Sequence, residues 1–286
     1  MSEAGHAGGQ GAASPNVERV VVADGAAAAA RAAALFADAA RRAVAARGRF
    51  VVALAGGSTP KAAYGLLAGD ASLGADVWGA THVWFGDERC VSPDAADSNY
   101  HMAREALLAR VPVPEAHVFR IEGERDPEDA AARYDALLRG EAVAGRDAAA
   151  ARAGAALPRD PVGAPVFDLV LLGVGPDGHT ASLFPGTPGL EERARWVIAV
   201  AAPVALTPKV ARITLTFPAL NAARDVVVLA VGAEKRDAVR AALGTGGDVP
   251  SSEVPLSDVP SSEVPPSGRV RGRERTVWVL DAAAAG

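Results

Sequence analysis

The chain has 286 residues and a formal net charge of −5, with 50% apolar and 22% charged residues, the proportions of an ordinary globular protein with room for a sizeable core. The negative balance excludes bulk attraction to DNA or to an anionic membrane, so neither partner is expected, and any anion site must be built by a few local basic residues. A single cysteine, Cys90, excludes an intramolecular disulfide, fits a reducing compartment and reads as a small packing residue.

Residues 1–16 are small and polar, with no basic start leading into an apolar run, so no secretory signal is expected and the segment reads as disordered. Val17 to Val22 reads as a strand. Ala26 to Ala46 reads as an amphipathic helix, too polar for a membrane span because of Arg31, Asp38, Arg41 and Arg42. Phe50 to Leu54 is a strand, Lys61 to Leu67 a helix and Thr81 to Phe85 a strand. A helix from Asp97 to Leu108 is capped by Asp97 or Ser98. His117 to Ile121 is expected as a short strand, and Pro127 opens a helix over Glu128 to Leu138. Residues 140–165, rich in Ala, Gly, Arg and Pro, read as a loose excursion.

Phe167 to Leu172 is apolar at nearly every position, the mark of a strand buried on both faces. Further strands are expected at Val197 to Val200, Ile213 to Phe217, Val226 to Val231 and Thr276 to Leu280, with a helix from Glu234 to Leu243. The alternation predicts one α/β domain over 17–286: an open, mostly parallel, doubly wound Rossmann-like sheet with helices on both faces. Residues 244–270 hold a tandem repeat, DVPSSEVPLS then DVPSSEVPPS. Two proline-rich copies are too few for a solenoid, so this Pro/Ser-rich stretch reads as an extended surface loop.

Open α/β sheets bind ligands at the carboxyl ends of their strands, and three segments fall there. Gly56-Gly57-Ser58-Thr59-Pro60-Lys61 follows a buried strand and opens a helix. It lacks Walker A spacing and reads either as a phosphate loop, with Gly57, Ser58 and Thr59 offering N–H and hydroxyl donors, or as a Gly turn with a Ser/Thr cap. Gly173-Val174-Gly175-Pro176-Asp177-Gly178-His179 formally matches GxGxxG, but no acidic residue ends the next strand as a dinucleotide site requires. Of five histidines, His179 alone lies in a Gly-rich strand-to-helix turn, and Asp177 stands two residues before it, a pattern suited to an oriented general base. Gly86-Asp87-Glu88-Arg89 is either a solvated edge or a site wall, with Asp87 or Glu88 accepting from sugar hydroxyls and Arg89 gripping an anion. Downstream, Lys209, Arg212 and Lys235 are the basic candidates, each taken alone more readily read as an ordinary surface charge; Lys235 is the best placed.

In their order along the chain, ALAGGSTPKAAY (53–64), VWFGDERCV (83–91), DSNYHMAREALL (97–108), FDLVLLGVGPDGHTASLFPGT (167–187), RITLT (212–216) and GAEKR (232–236) resemble the 6-phosphogluconolactonase family. The resemblance spans about residues 17–243 and the last strand, and it leaves the repeat unexplained. It implies hydrolysis of 6-phospho-D-glucono-1,5-lactone to 6-phosphogluconate, in the oxidative pentose phosphate pathway, by a cytoplasmic enzyme needing no metal or other cofactor. His179 would be the base and Asp177 its orienter. Gly57, Ser58, Thr59, Asp87, Arg89, Arg212 and Lys235 would hold the phosphate and the sugar. The rival with a similar fold is glucosamine-6-phosphate deaminase or isomerase. Those enzymes carry a Glu five residues after the histidine, where this chain has Phe184. A non-catalytic sugar-phosphate sensor would leave His179 surplus, and the chain offers no helix-turn-helix extension.

Overall fold

The computed structural model describes residues 16–145, 148–203, 207–244 and 264–286. The disorder expected for 1–16 therefore falls outside the described residues except at Asn16, which opens a strand, and most of the tandem repeat falls outside them too. In chain order the elements are β1 (Asn16–Val22), α1 (Gly25–Arg47), β2 (Phe50–Leu54), α2 (Ser58–Leu67), α3 (Ala75–Gly79), β3 (Thr81–Phe85), β4 (Asp87–Arg89), α4 (Asn99–Ala103), α5 (Pro127–Arg139), α6 (Ala148–Ala155), β5 (Leu169–Gly173), β6 (Val197–Val200), β7 (Arg212–Leu215), α7 (Phe217–Asn221), β8 (Asp225–Ala230), α8 (Arg236–Leu243), β9 (Arg275–Asp281) and α9 (Ala282–Ala285). Among the described residues no helix is long and apolar enough to cross a membrane.

Local chemistry sets the element ends. The Asp24 carboxylate accepts from Ala27 N at 2.9 Å and starts α1, and Gly48 ends it in the left-handed conformation at φ 70°. Asp126 caps α5 with Pro127 in its first turn, and Gly140 closes it. Along α1 the residues Ala28, Ala29, Ala32, Ala33, Ala40 and Ala43 are buried. Such small side chains let the helix lie close to β2, β8 and β9, which is how a chain poor in aromatics still closes its core.

The main sheet has six strands in the order β1-β9-β8-β5-β2-β3, every neighbouring pair parallel. All residues of β2 and β8 are buried, as strands covered by helices on both faces must be. A second, three-stranded antiparallel sheet runs β4-β7-β6. Three expectations need correcting. Val197–Val200 and the strand at 213 belong to this second sheet, because each pairs antiparallel with its neighbour. Residues 117–121 form no strand: a 3-10 turn at Glu115–His117 precedes a lone bridge between Val83 and Val118. The 140–165 excursion contains α6, which packs on α5.

Candidate active site

After β2 the chain moves to β3 on one side, and β5 then returns on the other side of β2. The loops that leave β2 and β5 therefore diverge, opening a crevice at the strands' carboxyl ends. A cavity of about 350 Å³ lies there, and Gly57, Ser58, Thr59, Asp87, Arg89, His179, Arg212 and Lys235 all line it. Asp177 is not in its wall; it stands behind His179. Glu88 and Lys209 do not line the cavity. Glu88 turns inward and accepts from Asn99 N at 2.7 Å, Tyr100 N at 2.8 Å and Ser98 Oγ at 3.0 Å, fixing the start of α4. Burial pushes its carboxyl above the ordinary range, against those hydrogen bonds. Burial likewise pushes the Cys90 thiol up to about 11, which leaves it inert as a nucleophile.

His179 sits in a tight turn. Its Nδ1 lies 2.5 Å from Asp177 Oδ1, and its backbone N–H donates to the same oxygen at 3.2 Å. With Nδ1–H donating to the carboxylate, the neutral ring carries its lone pair on Nε2. Burial works to raise the Asp177 carboxyl, and the hydrogen bond and charge of His179 outweigh it, leaving it below the usual range. Gly175 is indispensable here, because a Cβ at that position would run into His179 Nδ1. The turn is tied back by Gly175 N to His179 O at 2.9 Å and by Thr180 Oγ1 to Gly173 O at 2.8 Å. The Phe184 ring packs on the imidazole with centroids 4.8 Å apart.

The opposite wall attracts anions. Gly57 starts α2 at φ 104° without a side-chain cap, so the helix's first N–H groups are left for a ligand. Arg89 and Arg212 are direct cross-strand partners in β4 and β7. Burial, and then the neighbouring Arg89 charge, make the Arg212 guanidinium less basic, and its Cζ lies over the Phe184 ring, 5.7 Å from the centroid. Arg89 Nη1 donates to Asp97 O at 2.7 Å, while Nε of both arginines is buried without a partner. Two unspent buried donors on adjacent cations suit an oxygen-rich anion. Among the described residues no group of three His, Cys, Asp or Glu side chains could hold a metal.

Two residues that sequence reasoning passed over complete the site. Asn99 is 2% exposed and lines the cavity; its Nδ2 donates to Asp87 O at 2.9 Å and to Asp87 Oδ1 at 3.1 Å. Its amide oxygen lies against Gly56, where any Cβ would displace it. Ser182 is fully buried, and its Oγ donates to Asp87 Oδ2 at 2.6 Å. Asp87, expected to receive sugar hydroxyls, thus has both carboxylate oxygens engaged by the protein itself. The only signal in the sequence was their presence in the SNY and HTAS segments, which say nothing of who meets whom.

A model of the family described as glucosamine-6-phosphate isomerases/6-phosphogluconolactonase matches residues 23–278. The chain belongs to this family. Within the family it is 37% identical to the 6-phosphogluconolactonase of Streptomyces coelicolor, over 84% of this chain and 83% of that one. It is 34% identical to the chloroplastic 6-phosphogluconolactonase 3 of Arabidopsis thaliana over 83% of its length, which spans 65% of that longer protein. Its fold superposes on the solved 6-phosphogluconolactonase of Trypanosoma brucei with a TM-score of 0.76 at 30% identity, covering 95% of this chain and 98% of that one.

Proposed function

We propose that this protein hydrolyses 6-phospho-D-glucono-1,5-lactone to 6-phospho-D-gluconate, with His179 as general base. The observation that carries the reading is the Asp177–His179 pair at the wall of a cavity whose other wall is cationic. A lactone is an activated ester, so no covalent nucleophile is needed. His179 Nε2 takes a proton from water as the water oxygen bonds to C1. The tetrahedral intermediate then collapses, the C1–O5 bond breaks, and the imidazolium returns the proton to O5. Such general-base assistance supplies about 10²–10⁴-fold. Asp177 holds the ring and stabilises the imidazolium. Gly57, Ser58 and Thr59 at the start of α2, with Arg89, Arg212 and Lys235, hold the phosphate and sugar, and the remote phosphate orients the ring for attack. The lone, half-buried cysteine and the absence of a disulfide support a cytoplasmic location.

Against glucosamine-6-phosphate deamination stands Phe184. Moving protons between carbons needs a further carboxylate beside the histidine, and a phenyl ring occupies that place. The experiment is lactone disappearance, with freshly generated substrate, for wild type and His179→Ala against a no-enzyme control, in the presence of chelator. Acceleration by wild type alone is expected. Equal rates for the two proteins would remove His179 as the base, and no acceleration by wild type would reject the lactonase reading.

A further inference from the structure

Ser182 follows the proposed base by three residues and never reaches the cavity, yet it is the most firmly gripped residue of the turn. Its Oγ donates to Asp87 Oδ2 at 2.6 Å and its backbone N–H donates to Thr214 Oγ1 at 3.1 Å. Asp87 and Thr214 face each other across β4 and β7. One cross-strand pair of the small sheet therefore holds one serine from both sides, in a place where Ser182 and Thr214 are fully buried and Asp87 is 6% exposed.

The residue between His179's neighbour Thr180 and Ser182 explains why such a hold is useful. Ala181 has φ 46°, the one left-handed non-glycine among the described residues, and it lines the cavity. An alanine leaves that conformation unless its surroundings insist on it. Leu183 N donates to Thr180 O at 2.9 Å, closing a tight turn around Ala181 and Ser182. The strained turn is thus clamped at Ser182, and the imidazole lies on its near side.

We propose that Asp87 and Ser182 form a lock that positions His179. Asn99 keeps the Asp87 carboxylate aimed by holding its other oxygen, the Asp87–Thr214 pair holds Ser182, and Ser182 holds the left-handed turn beside the base. Asp87 and Ser182 are then positioning residues, acting on the reaction through His179. The Asp87–Thr214 pair lies two residues along the same two strands from the Arg89–Arg212 pair, so the lock and the anion-binding wall are built on one strand pair. This rests on the lactonase reading above.

The test is steady-state lactone hydrolysis by wild type, Ser182→Ala and the double variant Ser182→Ala/Ala181→Gly. Loss of the lock is expected to lower kcat by about 10²-fold, the scale of a 1 Å misplacement, with KM within about twofold of wild type because the anion wall is untouched. Glycine adopts φ 46° without support, so the double variant is expected to recover most of the lost kcat. A serine whose role was only to stabilise the fold would lower the melting temperature of Ser182→Ala while leaving kcat per folded molecule at the wild-type value. Should Ser182→Ala not fold, Thr214→Val removes one grip at constant shape and is expected to lower kcat with the same KM. Wild-type kcat in whichever single variant folds, or no recovery in the double variant, would overturn the lock. Absence of acceleration by wild type itself would instead overturn the reaction assignment.

Discussion

The Oδ1 atom of Asp177 binds His179 twice, at Nδ1 and at the backbone N–H. One oxygen thereby sets the tautomer of the ring and the shape of the turn that carries it. Replacing Asp177 by Asn keeps the shape but offers a weaker, uncharged partner to the imidazolium. A fall in kcat of about 10²–10⁴-fold is expected, bounded by the whole contribution of a general base, with KM nearly unchanged; single-turnover kinetics would check it.

The Asp177 carboxyl also makes an acid-side prediction. Its hydrogen bond to His179 holds it below the ordinary carboxylate range when folded, so its ionisation stabilises the folded state above the unfolded value, and that contribution fades as pH falls through the folded pKa. The stability gap between wild type and Asp177→Asn is expected to be constant near neutrality and to close below about pH 4. Denaturant titrations at several pH values measure this, and a gap independent of pH would contradict it.

Gly175→Ala is expected to abolish most activity while leaving the fold in place. The added methyl would occupy the position of His179 Nδ1, so the ring must leave its orienter. Circular dichroism should match wild type while kcat falls about 10²-fold or more.

Arg212→Met is expected to act mainly on KM, raising it about tenfold or more, because it removes a charge-assisted contact with the phosphate or the sugar. Arg89→Met should do the same. Competition by inorganic phosphate, strong in wild type, should weaken in both variants. A variant with wild-type KM would take that arginine out of the binding wall.

At the far end of the sheet Asp168 does purely structural service. Its carboxylate accepts from Val51 N at 2.8 Å and from Arg47 Nε at 3.0 Å while 6% exposed. Asp168→Ala would leave the Val51 N–H unpaired and take a carboxylate from Arg47, whose side chain is 32% exposed, and a loss of about 1–3 kcal/mol is expected, mostly from the unsatisfied buried N–H. The remaining folded protein should keep wild-type kcat, which separates stability from catalysis in one variant.

Periodicity and turn chemistry made the main sheet legible. Runs such as Phe167 to Leu172 are apolar on both faces only when helices cover both, and Gly-rich turns at their ends mark where a ligand fits. In the small sheet β6 and β7 were legible as strands, but β4 and the antiparallel pairing were not. Asp87, Glu88 and Arg89 read as either a solvated edge or a site wall, and not as a strand, because β4 is three residues long and its pairing with β7 is a long-range event. His117 to Ile121 has strand composition, but it meets β3 through a single bridge. His179 could be picked out because it stands in a conspicuous turn, whereas Ser182 and Asn99 act through Asp87, and a hydrogen bond between distant segments leaves no local trace.

The facing of Arg89 and Arg212 across β4 and β7 has an evolutionary corollary. Side chains alternate sides along a strand with a period of two, so gaining or losing one residue within either strand would turn an arginine away from the cavity. Between related sequences these two short strands should accept exchange of neighbouring side chains far more readily than any change of length. The spacing within GDER and RITL should, in that sense, be inherited as one piece, although the two segments lie on opposite sides of the His179 turn in the chain.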